Sequence, residues 1–319
     1  MNHTSSTAAH RRTTHGTHSR KAGAAFGLVA LVAAGSFAVA APARADSFTP
    51  AAAACAPAHA VDITGVDYSF SIDTHGTVPA GLVQINFTNN GPAPHQVQLF
   101  RLDDGVSYAK FLADLQVNRT TAMYDDSTSD GGVGDLAAPA ERTVWETLQA
   151  GTYAVVSMVV DSTDTPDFAK GMVSEFTVAG QSNSGQSAAT HPAAPVAGLI
   201  TADGLSYSLP PVLLENAVYR FQNADTQNVH EFLIGKLLPG VTAAQAKTWL
   251  GEYENPGGPT GPQPFTLAGG YGGAAPQSGG WFQANLEPGN YIGFDLAPND
   301  GTGAPNGTLG MVVGFTVAG

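Results

Sequence analysis

Cysteine is nearly absent from this chain: Cys55 is the single one in 319 residues. No intramolecular disulfide can therefore brace the fold, whatever compartment it occupies. Charged residues are also scarce, at 12%, and basic ones scarcer still, 13 against 26 acidic. Five of the basic residues fall within the first 45 positions, so the remainder is strongly acidic. Such a chain repels nucleic acid and anionic membranes, and no nucleic-acid partner is expected. Beyond residue 41 no apolar run is long enough to cross a bilayer, so no stable membrane insertion is expected once a leader is removed. His-x-His pairs, a G-x-S-x-G elbow and a G-K-[ST] phosphate loop are all missing. Neither a copper-cluster oxidase nor a serine hydrolase is expected, and the chain reads as a non-enzyme.

The first 45 residues have the order of a signal peptide. Arg11, Arg12, Arg20 and Lys21 precede an apolar run from Ala22 to Ala41, and Ala43-Arg44-Ala45 supplies a small-x-small cleavage site. The cleavage site and the many small residues favour a leader over an anchor, and a secreted protein is expected. Arg11-Arg12 leaves open whether export follows the general or the twin-arginine route. Residues 46–59, rich in Ala and Pro, read as a disordered tail, with His59 inside it. Cys55 follows three alanines but lacks the leucine of a lipoprotein box, so it reads as a mobile thiol.

What the chain does have is glycine (38), proline (21) and an internal repeat. GMVSEFTVAG at 171–180 recurs as GMVVGFTVAG at 310–319. Gly151-Thr152-Tyr153 recurs as Gly289-Asn290-Tyr291, and His95 aligns with His230. The offsets drift only from 135 through 138 to 139, which indicates a duplicated unit with small insertions. Residues 60–179 and 197–319 are the expected domains, joined by a Ser/Gln/Ala/Pro-rich linker at 180–196.

Within each copy, alternation at Gly81–Phe87 and after His95 predicts half-buried strands, and the β-branched run Tyr153–Val160 predicts an interior one. Asn89-Asn90-Gly91-Pro92 supplies a turn. Ser107 and Thr242 are placed to cap short helices over 108–115 and 243–250. Gly131-Gly132-Val133-Gly134 and the glycine-rich stretch Gly269 to Gly280 read as flexible loops. Asp103-Asp104 and Asp125-Asp126 lack the spacing of a calcium loop and read as solvated acids. The expected fold class is all-β: two tandem Greek-key β-sandwich domains, each with a short helical insertion.

A histidine opening a strand (Pro94-His95, Val229-His230), a G-x-Y strand and Gly-Met-Val before the last strand together resemble the cupredoxins. The closer resemblance is to secreted bacterial cupredoxin-like proteins with a short helix after the first histidine strand. That resemblance implies a copper site of two histidines, a cysteine thiolate and a methionine, a set suited to electron transfer. Carried over by position, it makes His95, Asp167 and Met172 the candidate ligands of the first copy. In the second copy they are His230, Asp295 and Met311. The cysteine position falls on Ser157 and Asp295, and the second-histidine position on Asp167 and Asn306. Without a thiolate no blue-copper site can form, so no cofactor is expected. The alternative is weak copper binding or delivery by the remaining His/Asp/Met donors. Otherwise the histidines are relics hydrogen-bonded to loop carbonyls. The function expected is a secreted binding or structural role toward an unidentified extracellular partner.

Overall fold

The alternating residues form strands because one face of each can be buried. In Gly81–Asn89, Val83, Ile85 and Phe87 are fully enclosed while Gln84, Asn86 and Thr88 are partly exposed, and each large side chain so buried contributes roughly 1.5–3 kcal/mol. The computed structural model describes residues 58–119, 121–161, 165–180, 190–255 and 258–319. The expected signal peptide, Cys55 and most of the expected tail and linker lie outside the described residues.

The first half contributes β1 (His59–Val66), β2 (Ser69–Asp73), β3 (Val78–Pro79), β4 (Gly81–Asn89), β5 (His95–Leu102), β6 (Ser127–Leu136), β7 (Ala140–Leu148), β8 (Gly151–Val156) and β9 (Val173–Ala179). The second contributes, in the same order, β10 (Val196–Asp203), β11 (Ser206–Ser208), β12 (Val212–Leu214), β13 (Ala217–Asn223), β14 (His230–Leu237), β15 (Phe265–Ala274), β16 (Trp281–Ala284), β17 (Gly289–Phe294) and β18 (Val312–Ala318). Each half carries one helix after its histidine strand, α1 (Tyr108–Val117) and α2 (Ala243–Gly251). Ser107 caps α1, and Thr242 caps α2 in a reciprocal box with Gln245, as expected from the sequence. The fold is of the expected all-β class, a sandwich of two sheets.

The two halves share their sheets. One sheet runs β11-β10-β13-β16-β7-β4-β1-β2, and the other β12-β18-β17-β14-β15-β6-β5-β8-β9-β3. Each order reads symmetrically outward from a central antiparallel pair, β16/β7 in one layer and β15/β6 in the other. Trp145 faces Trp281 across the first pair, and Val133 faces Tyr271 across the second. Leu82 and Val218 close around the two tryptophans. The guanidinium of Arg220 sits 4.6 Å above the Trp281 ring, a cation–π contact. Gln98 reaches across the other layer like a short strand, accepting from Gly273 N–H at 2.7 Å and donating to Gly273 C=O at 3.0 Å.

The repeated sequence motifs have a packing explanation. Tyr153 stacks on Phe176 at 5.4 Å, and Tyr291 on Phe315 at 5.6 Å, joining the G-x-Y strand to the G-M-V-x-x-F strand in both halves. Each tyrosine hydroxyl donates to the carbonyl four residues upstream, that of Gln149 or Glu287. A buried ring with a satisfied hydroxyl at a strand corner tolerates little variation.

Several sequence expectations need correction. The glycine-rich stretches are loops only in part: Gly131 to Gly134 lie in β6 and Gly269 to Gly273 in β15, at the centre of the larger sheet, while 275–280 lies outside any strand. Glycine is needed there because backbone passes too close for a side chain. A Cβ at Gly132 would sit 2.0 Å from the Val97 carbonyl oxygen, and one at Gly270 2.0 Å from that of Phe232. The run Tyr153–Val160 is a strand only to Val156, because Ser157 is drawn into a buried polar cluster. His59 is not in a tail but opens β1, its ring bonded to the Thr74 carbonyl. Asp126 is no solvated acid: it is buried and paired with Lys110.

Gly132 and Gly270 have φ of +121° and +110°. Replacing either with alanine is expected to lower stability by more than about 2 kcal/mol in urea unfolding, whereas Gly251→Ala, which meets open space, changes it by less than ~0.5 kcal/mol. Equal, small effects at all three positions would contradict the close approach to the Val97 and Phe232 carbonyls.

Candidate functional site

Each histidine is positioned by an asparagine turn. Asn89, at the end of β4, donates from Nδ2 to the carbonyls of Ala93 and Leu136 and accepts from Gly91 N–H. Asn223, at the end of β13, makes the equivalent bonds to the Asn228 and Ala274 carbonyls and the Asp225 N–H. The turn after each asparagine delivers His95 to the start of β5 and His230 to the start of β14, both with no exposed surface.

On the far side of each histidine, the loop between the last two strands is closed by matching backbone bonds. Phe168 N–H donates to the Ser157 carbonyl and Met172 N–H to that of Asp167. In the second half Gly307 N–H donates to Asp295 and Met311 N–H to Asn306. The loops thereby bring Ser157 and Asp167 beside His95, and Asp295 and Asn306 beside His230.

In the first half, His95 Nδ1 donates to Asp167 Oδ2 at 2.8 Å, and the Ser157 hydroxyl donates to the same oxygen at 2.9 Å. In the second, His230 Nδ1 donates to Asp295 Oδ2 at 2.7 Å, and the Asn306 amide donates to that oxygen at 3.2 Å. The two clusters are one arrangement with its parts exchanged. Ser157 and Asp295 occupy matching positions, as do Asp167 and Asn306. The carboxylate has changed sides, and a neutral donor stands wherever it does not. The histidines are thus bonded to carboxylates, not to loop carbonyls as a relic site was expected to be.

The second oxygen of each carboxylate is also served. Asp295 Oδ1 accepts from Ala297 N–H at 2.7 Å, and Asp167 Oδ1 lies 3.9 Å from the Lys170 ammonium. Lys170 itself pairs with Asp161 at 2.7 Å and sits 4.2 Å above the Tyr68 ring, whose edge meets His95.

The clusters differ on the opposite side of the imidazole. His95 Nε2 has no hydrogen-bond partner among the described residues, and Gly91 lies against it, so close that a Cβ there would be 2.9 Å away. At the matching position the second half has Asp225, with Oδ2 3.3 Å from His230 Nε2. A carboxylate at each nitrogen favours the cationic form of the ring. Burial opposes that charge, but the hydrogen bond to Asp295 and the proximity of Asp225 outweigh it and raise the His230 pKa. Asp225 is held below the usual carboxylate range: burial works against this, and the Gln227 and Asn228 backbone N–H groups prevail. Sequence reasoning passed over Asp225, although an acid five residues before the second histidine, where the first copy has glycine, was its signal.

Met172 and Met311 are both fully buried. The Met172 methyl packs against Gly65, and Met311 belongs to the apolar cluster that also holds Tyr291 and Phe315. Of the expected donors, the structure brings together His95 with Asp167 and His230 with Asp295, and gives the methionines to apolar packing. The N···O separations of 2.7–2.8 Å are those of hydrogen bonds. Two ligands on one tetrahedral ion, each about 2.0–2.1 Å from it, stand roughly 3.3 Å apart. The donors are imidazole, carboxylate, hydroxyl and amide, so the set does not fit blue copper. Among the described residues no group of three or more His, Cys, Asp or Glu side chains gathers as a metal cage would require. No helix among them is long and apolar enough to cross a membrane.

No family model matches this chain, and no curated protein matches it. Among solved structures it is similar to reduced auracyanin from the photosynthetic bacterium Roseiflexus castenholzii, at 21% identity and TM-score 0.26 over 39% of this chain and 99% of that one. It is also similar to a multicopper oxidase, at 17% identity and TM-score 0.22 over 81% of this chain and 88% of the other. A copper-containing nitrite reductase from Thermus scotoductus follows at 11% identity and TM-score 0.23, over 81% and 61%. Similarities this distant assign no chemistry to the residues described above.

Asp167→Ala and Asp295→Ala, which strand a buried imidazole N–H, are each expected to cost about 3–5 kcal/mol, and Ser157→Ala about 1–3 kcal/mol because the Gln96 N–H loses its acceptor. Urea unfolding with intrinsic fluorescence reads both. The Asp225 contact makes a pH-dependent contribution. A histidine pKa raised by folding stabilises below the unfolded value of about 6.5 and ceases to as pH rises through the folded value. The melting-temperature gap between the natural chain and Asp225→Gly is therefore expected to be widest near pH 5–6 and to narrow toward pH 9. A gap that stays constant over that range would contradict a charged His230.

Proposed function

We propose that this chain is a secreted, non-enzymatic binding or structural protein, built of two tandem cupredoxin-like domains at 60–179 and 197–319 and lacking a blue-copper site. The observation that carries this reading is the direct hydrogen bond from each buried histidine to a carboxylate, His95 to Asp167 and His230 to Asp295. A proton held between nitrogen and oxygen does the cohesive work that a metal would do between ligands. It closes the loop before the last strand onto the histidine strand in both halves.

The chemistry of the donors supports the same reading. The positions that would carry the cysteine ligand hold Ser157 and Asp295, neither of which can supply a thiolate. A serine hydroxyl and a carboxamide are poor ligands for copper at neutral pH. The exchange of carboxylate and neutral donor between the halves keeps the hydrogen-bonded cluster intact, while a metal site would be served by a different donor set in each half.

Titrating the metal-free secreted chain with Cu(II), and separately with Cu(I), checks the reading by calorimetry and visible absorption. The expected result is no submicromolar binding and no intense charge-transfer band. Submicromolar binding that vanishes in a His95→Ala, His230→Ala double variant would overturn the proposal and make the chain a copper-binding or copper-delivery protein.

A further inference from the structure

A second feature lies away from the histidine clusters. Where the halves meet on the outer face of the larger sheet, beside α2 and the segment that follows α1, they enclose a cleft of about 900 Å³, within the size range of small-molecule sites. Its walls are aromatic: Phe100 from the first half, and Trp249, Phe265 and Phe294 from the second. Its lining also holds two carboxyl groups from different halves, Asp135 at the end of β6 and Glu231 in β14.

Asp135 is the exceptional group. It is only 9% exposed, yet it makes no hydrogen bond or ion pair among the described residues. Glu231, by contrast, has one oxygen occupied, accepting from Leu296 N–H at 2.8 Å. An unpartnered buried carboxyl group is costly unless a ligand meets it. Burial, together with the charge of Asp167, pushes the Asp135 pKa up to about 7, as a carboxylate lacking a counterion requires. Nearby, the Tyr124 hydroxyl oxygen is enclosed without a hydrogen-bond partner and also lines the cleft.

The charges around the cleft are of one predominant sign. Glu254 and Asp300 add two acids at the exposed rim, and Arg119, also exposed, is the single basic residue of the lining. Aromatic walls favour cations through their ring faces, and carboxylates accept N–H bonds from an ammonium group. An inorganic cation would leave the apolar walls unused, and an anion would meet the buried acids.

We propose that this cleft binds a small organic ammonium compound, an amine with an aromatic or aliphatic body, whose charged nitrogen meets Asp135 while its body lies against Phe100, Trp249 and Phe265. The occupied site would join the two halves through the ligand, since Asp135 belongs to one and Trp249 to the other. This site does not depend on the fate of copper at His95 and His230, so its test and the copper titration fail separately.

The full secreted chain is titrated with phenethylamine at about pH 8, where Asp135 is ionised, with phenylacetate as the matched anion, using calorimetry and tryptophan fluorescence. Saturable 1:1 binding of the amine and none of the anion is expected. Asp135→Asn, nearly isosteric, is expected to weaken amine binding by at least about ten-fold, and Arg119→Ala, which removes an exposed repelling cation, to tighten it. Absence of amine binding would overturn the proposal. So would equal binding of phenylacetate, an Asp135→Asn variant that binds undiminished, or an Arg119→Ala variant that binds more weakly while keeping its melting temperature.

Discussion

The inner edges of the first half are β6 in one layer and β7 in the other, with rows of backbone donors and acceptors that must be satisfied. The copy of the same unit satisfies them: β15 pairs with β6, and β16 with β7. Much else follows from that constraint. Across the seam glycines let the backbones approach, Gly134 toward the Gly269 carbonyl and Gly272 toward that of Gly131. The smaller sheet must also be covered where the two halves meet, hence the facing tryptophans 145 and 281 with Leu82 and Val218. The main apolar cluster runs through both halves, from Val61 to Val317. The seam also contains a buried carboxyl group, Glu146, which accepts from the Gly132 N–H at 2.9 Å and from the Tyr271 hydroxyl of the other half. Burial raises its pKa well above the ordinary range.

The histidine clusters illustrate how a buried polar centre can persist while its residues change. What is retained is a relation: imidazole to carboxylate to neutral donor. Ser157 with Asp167 satisfies it in one half, and Asn306 with Asp295 in the other. A carboxylate at both positions would place two like charges in a closed space, and a neutral group at both would leave the imidazole N–H without a strong acceptor. The permitted combinations are therefore few, and the halves use two of them. Asp225 adds a second carboxylate only on the free side of the second ring, where His230 can become a cation between the two.

Much of the architecture was legible because it depends on local signals. Alternation in Gly81–Phe87 reported burial of one face, Ser107 and Thr242 reported helix starts, and the G-x-Y and G-M-V-x-x-F repeats reported the stacked Tyr–Phe pairs. The candidate residues His95, Asp167, His230 and Asp295 were reached by position in a repeated unit, and they do come together. The misjudged segments share a cause. Glycines 131, 132, 134, 269, 270, 272 and 273 carry no side chain to reveal what they pack against, so a crowded strand and a flexible loop look alike in sequence. The run Tyr153–Val160 kept its β-branched character past the point where Ser157 leaves the sheet for a buried acid.

Legible from the chain alone were the strand pattern, the duplicated order of elements, the two capped helices and the lack of a cysteine at positions 157 and 295. Each of these is set by residue type and spacing along the chain. Tertiary structure alone decided that the two halves share continuous sheets, that the carboxylates satisfy the histidines directly and that Asp135 is left unpartnered inside a cleft. Those outcomes depend on pairing between residues far apart in sequence: about 138 positions for Val133 and Tyr271, and 72 for His95 and Asp167. Register and burial at that range are set by the closure of the whole sandwich, which no local pattern encodes.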